Sequence, residues 1–393
     1  MTATTTISLP GPDGTWRPIG LREPGHWPRP TEPLTARSAF AAAHVVPSVA
    51  ADNTPGGPAV IDWESTLALR ERIWAAGLGV AEAMDTAQRG MGLDWAGAVE
   101  LITRSAALAR QVGGRIAAGA NTDHLPGDGP PGLTQIIDAY RYQIDAIQSA
   151  GARVIMMASR HLAAVATEPE EYARVYEAVL AEADEPVILH WLGPMFDPRL
   201  AGYWGTSDLD EAHTIVADLL SANATRIDGI KVSLLDADRE IALRTDLARR
   251  GVGVRIYTGD DMNYPDLIVG DETGHSDALL GVFAVIYPAA SAALQALQAA
   301  DDDAAHQILH RTVDLGRHIF TDPTPSYRTG VAFWSWLNGF QPGFQMLDGM
   351  HSARSAAHVI RIFELANDAG LLLEPETAAA RMTMFLEVAG YRE

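Results

Sequence analysis

Lys231 is the only lysine among the 29 basic residues of this chain; the other 28 are arginines. It ends a short apolar segment, 227–231. An arginine stays protonated at ordinary pH, whereas a lysine in a low-dielectric pocket can lose its proton and attack a carbonyl carbon. The sequence therefore predicts that Lys231 is a nucleophile that forms a Schiff base. Chance retention, or a buried ion pair with Asp228 or Asp236, is the alternative.

Other residues with useful chemistry follow apolar segments elsewhere in the chain. We predict that His190 transfers protons and that the other residues at the ends of these segments, apart from Lys231, bind substrate. Among them, Arg160 is expected to hold a carboxylate or a phosphate. Of the adjacent pair Asp260 and Asp261, we expect Asp260 to point inward and the other to cap a helix. A core role for His190, a solvated loop at Arg160 and His161, and a capping role for Asp85 are the alternatives. The predicted set is Asp85, Thr86, Arg160, His161, His190, Lys231, Gly259, Asp260 and Gly281.

Eight apolar segments alternate with amphipathic helical patterns at a spacing of roughly 25 to 45 residues. Eight such βα units predict an α/β fold, a (β/α)8 TIM barrel, in which the residues that follow each strand meet at one mouth. We expect the last barrel helix to begin at Pro288. The predicted strands are 39–46, 78–83, 115–120, 153–157, 186–190, 227–231, 253–257 and 278–283.

The barrel is predicted to have extensions at both ends. Residues 1–37 contain seven prolines and predict an extended arm without regular structure. The barrel itself is expected over 38–300, and 301–393 is expected to be a helical region packed on it. The Gly- and Pro-rich loop at 127–131 is our candidate for a lid.

Composition narrows the classes of partner. The formal net charge is −21, which argues against nucleic acid and against anionic membrane surfaces. Cysteine is absent, so disulfides and thiolate metal sites are excluded. Without a signal-peptide pattern or a long apolar run, the sequence predicts a cytoplasmic protein.

Two segments carry a resemblance to a known family. Asp228-Gly-Ile-Lys-Val-Ser and Tyr257-Thr-Gly-Asp-Asp resemble the dihydrodipicolinate synthase and N-acetylneuraminate lyase superfamily, over roughly residues 40–300. The resemblance implies a Schiff base between Lys231 and pyruvate or another 2-oxo acid, without a cofactor or a metal. It also implies a homo-oligomer, a dimer or a tetramer.

The chain departs from that family at three places. The family's Gly-Thr-Thr-Gly-Glu, which holds the carboxylate of the 2-oxo acid, is replaced by 85–89, Asp-Thr-Ala-Gln-Arg, with one hydroxyl fewer. His190 stands where the family has a proton-shuttling tyrosine, and 159–161, Ser-Arg-His, replace a Pro-Tyr-Tyr stretch. Histidine suits proton transfer because its pKa lies near neutrality.

The function expected from these observations is a class I aldolase or lyase acting on a small-molecule carbonyl compound, a 2-oxo acid or a keto-sugar derivative. A dehydratase or decarboxylase that uses the same imine is an alternative. A metal-dependent sugar isomerase or epimerase is another, with His124, His161, His190, His275 and the aspartates as ligands. A non-catalytic barrel that senses a ligand is the third.

Overall fold

The computed structural model describes residues 6–11, 13–126 and 130–393. These residues form ten strands: β1 Thr6–Pro10, β2 Trp16–Gly20, β3 Ala39–Ala42, β4 Gly79–Glu82, β5 Ile116–Ala120, β6 Arg153–Met156, β7 Val187–Leu192, β8 Ile227–Ser233, β9 Arg255–Thr258 and β10 Asp277–Leu280. Strands β3 to β10 pair in parallel and in chain order, and β10 closes on β3. The predicted (β/α)8 barrel is confirmed.

Helices follow the barrel strands and continue beyond them. The α-helices of the described residues are α1 Trp63–Ala75, α2 Trp95–Val112, α3 Leu133–Ala150, α4 Arg160–Val165, α5 Pro169–Leu180, α6 Leu209–Ala222, α7 Ala237–Arg249, α8 Tyr264–Val269, α9 Phe283–Gln298, α10 Asp302–His310, α11 Val313–Ile319, α12 Tyr327–Leu337, α13 Ala356–Ala369 and α14 Pro375–Val388. Short 3-10 turns occur at Asp85–Ala87, Pro198–Leu200, Thr324–Ser326 and Leu347–Ser352. None of the described helices is long and apolar enough to cross a membrane.

Two apolar layers hold the barrel together. The larger lies between the strands and the surrounding helices. The smaller fills the barrel interior, so this interior is a packed core rather than a channel. Its members are Phe40, Ala42, Ala81, Met84, Ala117, Ile155, Met157, Ile188, Tyr257 and Leu279. Chemistry is therefore confined to the ends of the strands.

The N-terminal arm contains more regular structure than the sequence predicted. Strands β1 and β2 form an antiparallel hairpin in which Thr6 pairs with Gly20. The hairpin lies against the C-terminal helical region, where the indole of Trp16 donates to the carbonyl of Arg392 at 3.1 Å. The indole of Trp27 donates to the carbonyl of Gly370 at 3.0 Å. The two ends of the chain are thereby joined.

The start of α9 differs from the prediction. The helix begins at Phe283, and Pro288 lies inside it. The helix begins early because the chain turns directly after β10, where the Asp261 carboxylate accepts the Val282 amide at 2.6 Å. Proline in a helix interior lacks one amide donor, so α9 has one backbone hydrogen bond fewer at Pro288.

Helices α10 to α14 form the C-terminal region expected from the sequence. The N-terminal end of α12 lies over the barrel mouth, and its Tyr327 and Arg328 are buried there. Of the predicted lid loop, residues 127–129 lie outside the described residues.

Candidate active site

Lys231 lies near the C-terminal end of β8, paired in register with His190 of β7 and Tyr257 of β9. It is 7% exposed. A Cβ at Gly259 would lie 2.8 Å from Lys231 Cε and 2.2 Å from Ser233 Oγ, so only glycine leaves room for the lysine side chain. Among the described residues, Lys231 has no hydrogen-bond partner, and no carboxylate oxygen lies within 4.0 Å of its amine nitrogen.

The Lys231 side chain lines a small cavity at the C-terminal mouth of the barrel. Its polar members offer two carboxylates and several hydroxyls next to the amine. The lining residues are Ala42, Met84, Asp85, Thr86, Leu192, Phe196, Lys231, Ser233, Asp261, Gly281 and Tyr327. The structure places the predicted residues Asp85, Thr86 and Gly281 in the same cavity as Lys231, and their role in binding substrate stays a prediction.

Lys231 and Asp261 affect each other's protonation. Burial lowers the pKa of the Lys231 amine from its ordinary value, and the charges of Asp261 and Asp85 oppose that shift. Burial also raises the pKa of Asp261 to about 7, against the attraction of Lys231. Desolvation disfavours the charged form of both groups, so a proton can pass between them with little cost.

Asp261, not Asp260, is the aspartate that faces the lysine. Asp260 instead accepts the backbone amides of Met262 at 2.9 Å and Asn263 at 3.0 Å, which holds the turn before α8. Strand β9 ends at Thr258, so the two-residue alternation that the prediction used no longer applies at these positions. The prediction that Asp260 points inward was wrong.

Tyr327 enters the cavity from the C-terminal region and was missed by the sequence reasoning. Its hydroxyl lies 2.8 Å from Thr86 Oγ1, and both groups are buried. Burial raises the pKa of Tyr327, so the phenol stays protonated at neutral pH. The sequence predicted a helical region here, packed on the barrel, but no local pattern pointed to a tyrosine beside Lys231.

Asp85 is held in place by a second residue of α12. The Arg328 guanidinium donates through Nε to the Asp85 carbonyl, and its Nη2 lies 3.9 Å from Asp85 Oδ1. Arg328 is 2% exposed and does not line the cavity. The positive charge of Arg328 therefore balances the Asp85 carboxylate from outside the cavity.

Gly281 gives α12 room to approach the barrel. A Cβ at this position would lie 3.0 Å from Phe320 Cζ and 3.2 Å from Tyr327 Cε2. The rings of Phe320 and Tyr327 stack with centroids 4.3 Å apart. The glycine thus lets an aromatic pair close one side of the cavity.

His190 lies behind the cavity rather than in it. Its Nε2 lies 3.1 Å from Ser233 Oγ, and Ser233 lines the cavity. Burial lowers the pKa of His190 well below its ordinary value, with Lys231 adding to the shift, so the ring is neutral. Any proton transfer by His190 therefore runs through the Ser233 hydroxyl.

Arg160 and His161 lie in an outer pocket that shares Asp85 and Leu192 with the lysine cavity. The Arg160 guanidinium forms an ion pair with Asp197. His161 Nδ1 lies 2.9 Å from Thr122 Oγ1, and burial lowers the pKa of its ring. The predicted role of Arg160 in holding an anionic group stays a prediction.

The candidate metal ligands named from the sequence do not come together. No group of three or more histidine, aspartate or glutamate side chains is arranged to hold a metal within residues 6–11, 13–126 and 130–393. His190 contacts Ser233, while His124 contacts Gln143 at 2.8 Å.

Solved structures with the same fold belong to the dihydrodipicolinate synthase family. The synthase from Aquifex aeolicus has a TM-score of 0.63 at 16% identity, and covers 86% of this chain and 99% of its own. The chloride-inhibited synthase from Acinetobacter baumannii, complexed with pyruvate, has a TM-score of 0.62 at 17% identity, with 86% and 100% covered. YagE, a prophage protein of that family from Escherichia coli K12, also complexed with pyruvate, has a TM-score of 0.62 at 15% identity, with 91% and 99% covered.

These similarities confirm the predicted resemblance at the level of the fold. No curated protein matches the sequence. A family model described as "Protein of unknown function (DUF993)" matches residues 7–391.

Proposed function

The chain belongs to the DUF993 family, and we propose that it is a Schiff-base-forming enzyme, a class I aldolase or lyase acting through Lys231. One observation carries this proposal. The only lysine of the chain is buried at the C-terminal mouth of a closed barrel, beside Asp261 and without an ion pair among the described residues. Barrel enzymes perform their chemistry at this end of the strands.

The first step requires a neutral amine. Burial favours that form of Lys231, and Asp261, whose pKa is raised to about 7, accepts the proton. The nitrogen lone pair attacks the carbonyl carbon of the substrate, and Asp261 gives its proton to the carbonyl oxygen. The nitrogen then loses one proton to Asp261, which leaves a neutral carbinolamine. Asp261 is suited to this transfer because its pKa lies near neutrality.

The second step removes water from the carbinolamine. The Tyr327 and Thr86 hydroxyls, 2.8 Å apart, relay the proton held by Asp261 to the leaving hydroxyl, and the nitrogen lone pair forms the carbon–nitrogen double bond. Ser233, with His190 behind it, offers a third hydroxyl in the same cavity. The product is a protonated imine, and Asp261 is its counterion.

The third step breaks a carbon–carbon bond. Its electron pair moves towards the positively charged imine and leaves an enamine, while the hydroxyl on the departing carbon loses its proton and becomes an aldehyde. Protonation of the enamine and hydrolysis of the imine then return Lys231. The reverse sequence forms the bond.

The related structures give this proposal indirect support. Two of them are complexes with pyruvate, which is a carbonyl compound of the kind that an amine attacks. Because these two structures are only 17% and 15% identical to this chain, the similarity is one of fold alone. The homo-oligomer expected from the sequence is also a proposal, and light scattering of the purified protein tests it.

Borohydride trapping tests the proposed function. Reduction of an imine fixes the substrate to the protein, and one lysine in the chain makes the site of attachment unambiguous. We expect a stable adduct on the peptide that contains Lys231 from at least one member of a panel of 2-oxo acids, hydroxyketones and keto sugars. The Lys231→Arg variant should form none.

A relocated lysine is the matched control. Arg255 lies at the opposite end of the barrel with 55% of its side chain exposed. The double variant Lys231→Arg, Arg255→Lys keeps one lysine and the same charge, and we expect it to form no adduct. Equal trapping by this variant would show that any lysine suffices and would contradict the proposal.

A further inference from the structure

We propose that the compound that forms the imine carries no carboxylate on its reacting carbon and is an uncharged hydroxyketone or hydroxyaldehyde. This inference rests on the proposed function and names its substrate class. The charges and hydrogen-bonding groups around Lys231 carry it. It departs from the 2-oxo acid that the sequence resemblance implied.

The charges around the cavity balance without any contribution from the substrate. The protonated imine on Lys231 is matched by Asp261, which lines the same cavity. Asp85 is matched by Arg328, at 3.9 Å. A carboxylate on the reacting carbon would add a negative charge between two aspartates, with no further cation among the described lining residues. A buried charge without a partner is strongly disfavoured.

The nearest guanidinium is already engaged. Arg328 donates to the backbone carbonyls of Asp85 and Pro325, so two of its nitrogens are in use. The other guanidinium groups on this side, Arg89, Arg160 and Arg199, line the outer pocket and not the lysine cavity. Arg160 and Arg199 both form ion pairs with Asp197. Arg89 is further held by Asp123 at 2.5 Å. Among the described residues that line the two pockets, a carboxylate beside the imine would therefore find no free guanidinium.

Hydroxyl groups, in contrast, match the cavity. The carboxylates of Asp85 and Asp261 are hydrogen-bond acceptors, and a hydroxyl is the neutral donor that pairs with them. Of the Asp261 oxygens, Oδ1 accepts the Val282 amide. The Thr86 and Tyr327 hydroxyls can each both accept and donate. In a ketone or aldehyde with a hydroxyl on the adjacent carbon, that hydroxyl is a hydrogen-bond donor close to the carboxylates of Asp85 and Asp261.

Parallel trapping of matched carbonyl compounds tests the inference. Hydroxyacetone and pyruvate differ by a hydroxymethyl group in place of a carboxylate, and both have three carbons. With the unmodified protein and borohydride, we expect hydroxyacetone to label Lys231 about tenfold or more faster than pyruvate, after correction for their reaction with free lysine. Glycolaldehyde and glyoxylate form a second pair with the same expected order.

An aspartate variant gives the opposite test. Asp85→Asn removes one negative charge and leaves Arg328 unpaired, so we expect pyruvate labelling to rise about tenfold relative to hydroxyacetone. Asp260→Asn, a neighbouring aspartate outside the cavity, should leave the ratio unchanged.

The outcomes separate the two levels of the proposal. If pyruvate labels Lys231 as fast as hydroxyacetone or faster, the substrate class is wrong while the Schiff-base function stands. If neither pair of compounds labels Lys231 in a folded protein, the function itself is wrong and the inference falls with it. Because the comparison in the unmodified protein decides this, poor folding of the Asp85 variant does not remove the test.

Discussion

The two ends of strand β8 carry charged groups in contrasting surroundings. At the N-terminal end, Asp228 accepts Arg153 at 2.9 Å and the Tyr257 hydroxyl at 2.6 Å. Three residues later, at the C-terminal end, Lys231 lies within the described structure without such a partner. The charge of Asp228 is therefore balanced by its partners. The amine of Lys231 is buried without a balancing partner in contact among the described residues.

This difference separates charged groups that stabilise the fold from those that can change protonation during catalysis. An ion pair with short contacts lowers the energy of the charged forms, so it stabilises the fold and resists a change of protonation. A buried amine near a carboxylate of raised pKa changes protonation easily, which catalysis requires. We therefore expect substitutions at the two ends to affect different properties.

The largest effect is expected for Asp261→Asn. Without the group that accepts the lysine proton, imine formation should slow by about 10³-fold. Asp260→Asn is the matched control, because it disturbs the turn before α8 and not the cavity. The measurement is the rate of borohydride labelling. Equal rates for Asp261→Asn and the unmodified protein would contradict the role of Asp261.

Glu240 is a second buried carboxyl with a raised pKa, and it does not line the cavity of Lys231. It is 1% exposed, outside the cavity, and burial raises its pKa to about 8 from 4.5, against the hydrogen bond from Ser276. Glu240 therefore ionises more readily in the unfolded chain, and its contribution to stability is greatest below pH 4.5 and is lost as the pH rises towards 8. Asp261 contributes with the same sign, up to about pH 7.

We expect Glu240→Gln to flatten this decline. Relative to the unmodified protein, the variant should gain about 3 kcal/mol of unfolding free energy between pH 5 and pH 8. Urea unfolding at several pH values measures it, and labelling of Lys231 should be unaffected. Parallel pH profiles for the two proteins would show that Glu240 does not titrate as described.

Tyr327→Phe should have the next largest effect. Removing the hydroxyl should slow imine formation by about 10- to 100-fold while the ring stays packed on Phe320. Thr86→Val removes the partner hydroxyl, and the double variant should be no slower than the worse single one because the two groups act as a unit. Fully additive losses would argue against a shared proton path.

Asp228→Asn should have the smallest effect, and on stability alone. It weakens the contacts with Arg153 and Tyr257, and we expect a loss of about 1–2 kcal/mol. The rate of Lys231 labelling should stay within about twofold of the unmodified protein. A large loss of labelling in a folded variant would show that the two ends of β8 are coupled, and would break the contrast between them.

Local patterns were enough to predict the barrel and to single out Lys231 as the candidate nucleophile. Apolar segments of strand length recur with helices between them, and one lysine among arginines is visible without any structure. Tyr327 could not be predicted in this way, since its contact with Thr86 joins residues 241 positions apart.

Other errors have local causes. Asp260 and Asp261 were exchanged because the strand ends at Thr258 and the alternation of faces ends with it. The start of α9 was placed at Pro288 because proline favours first turns, whereas Asp261, from the turn between β9 and α8, fixes the start several residues earlier. In both cases a turn, whose geometry depends on tertiary contacts, decided the outcome.

The most direct test of the nucleophilic role of Lys231 is NMR of the protein labelled with [¹³C]lysine. A single lysine gives a single ¹³Cε signal, without assignment. We predict that this signal titrates below the ordinary lysine pKa of 10.5 and shifts to an imine position when a reactive carbonyl compound is added. A signal that titrates at or above 10.5 and does not change with any hydroxyketone or 2-oxo acid would contradict the account.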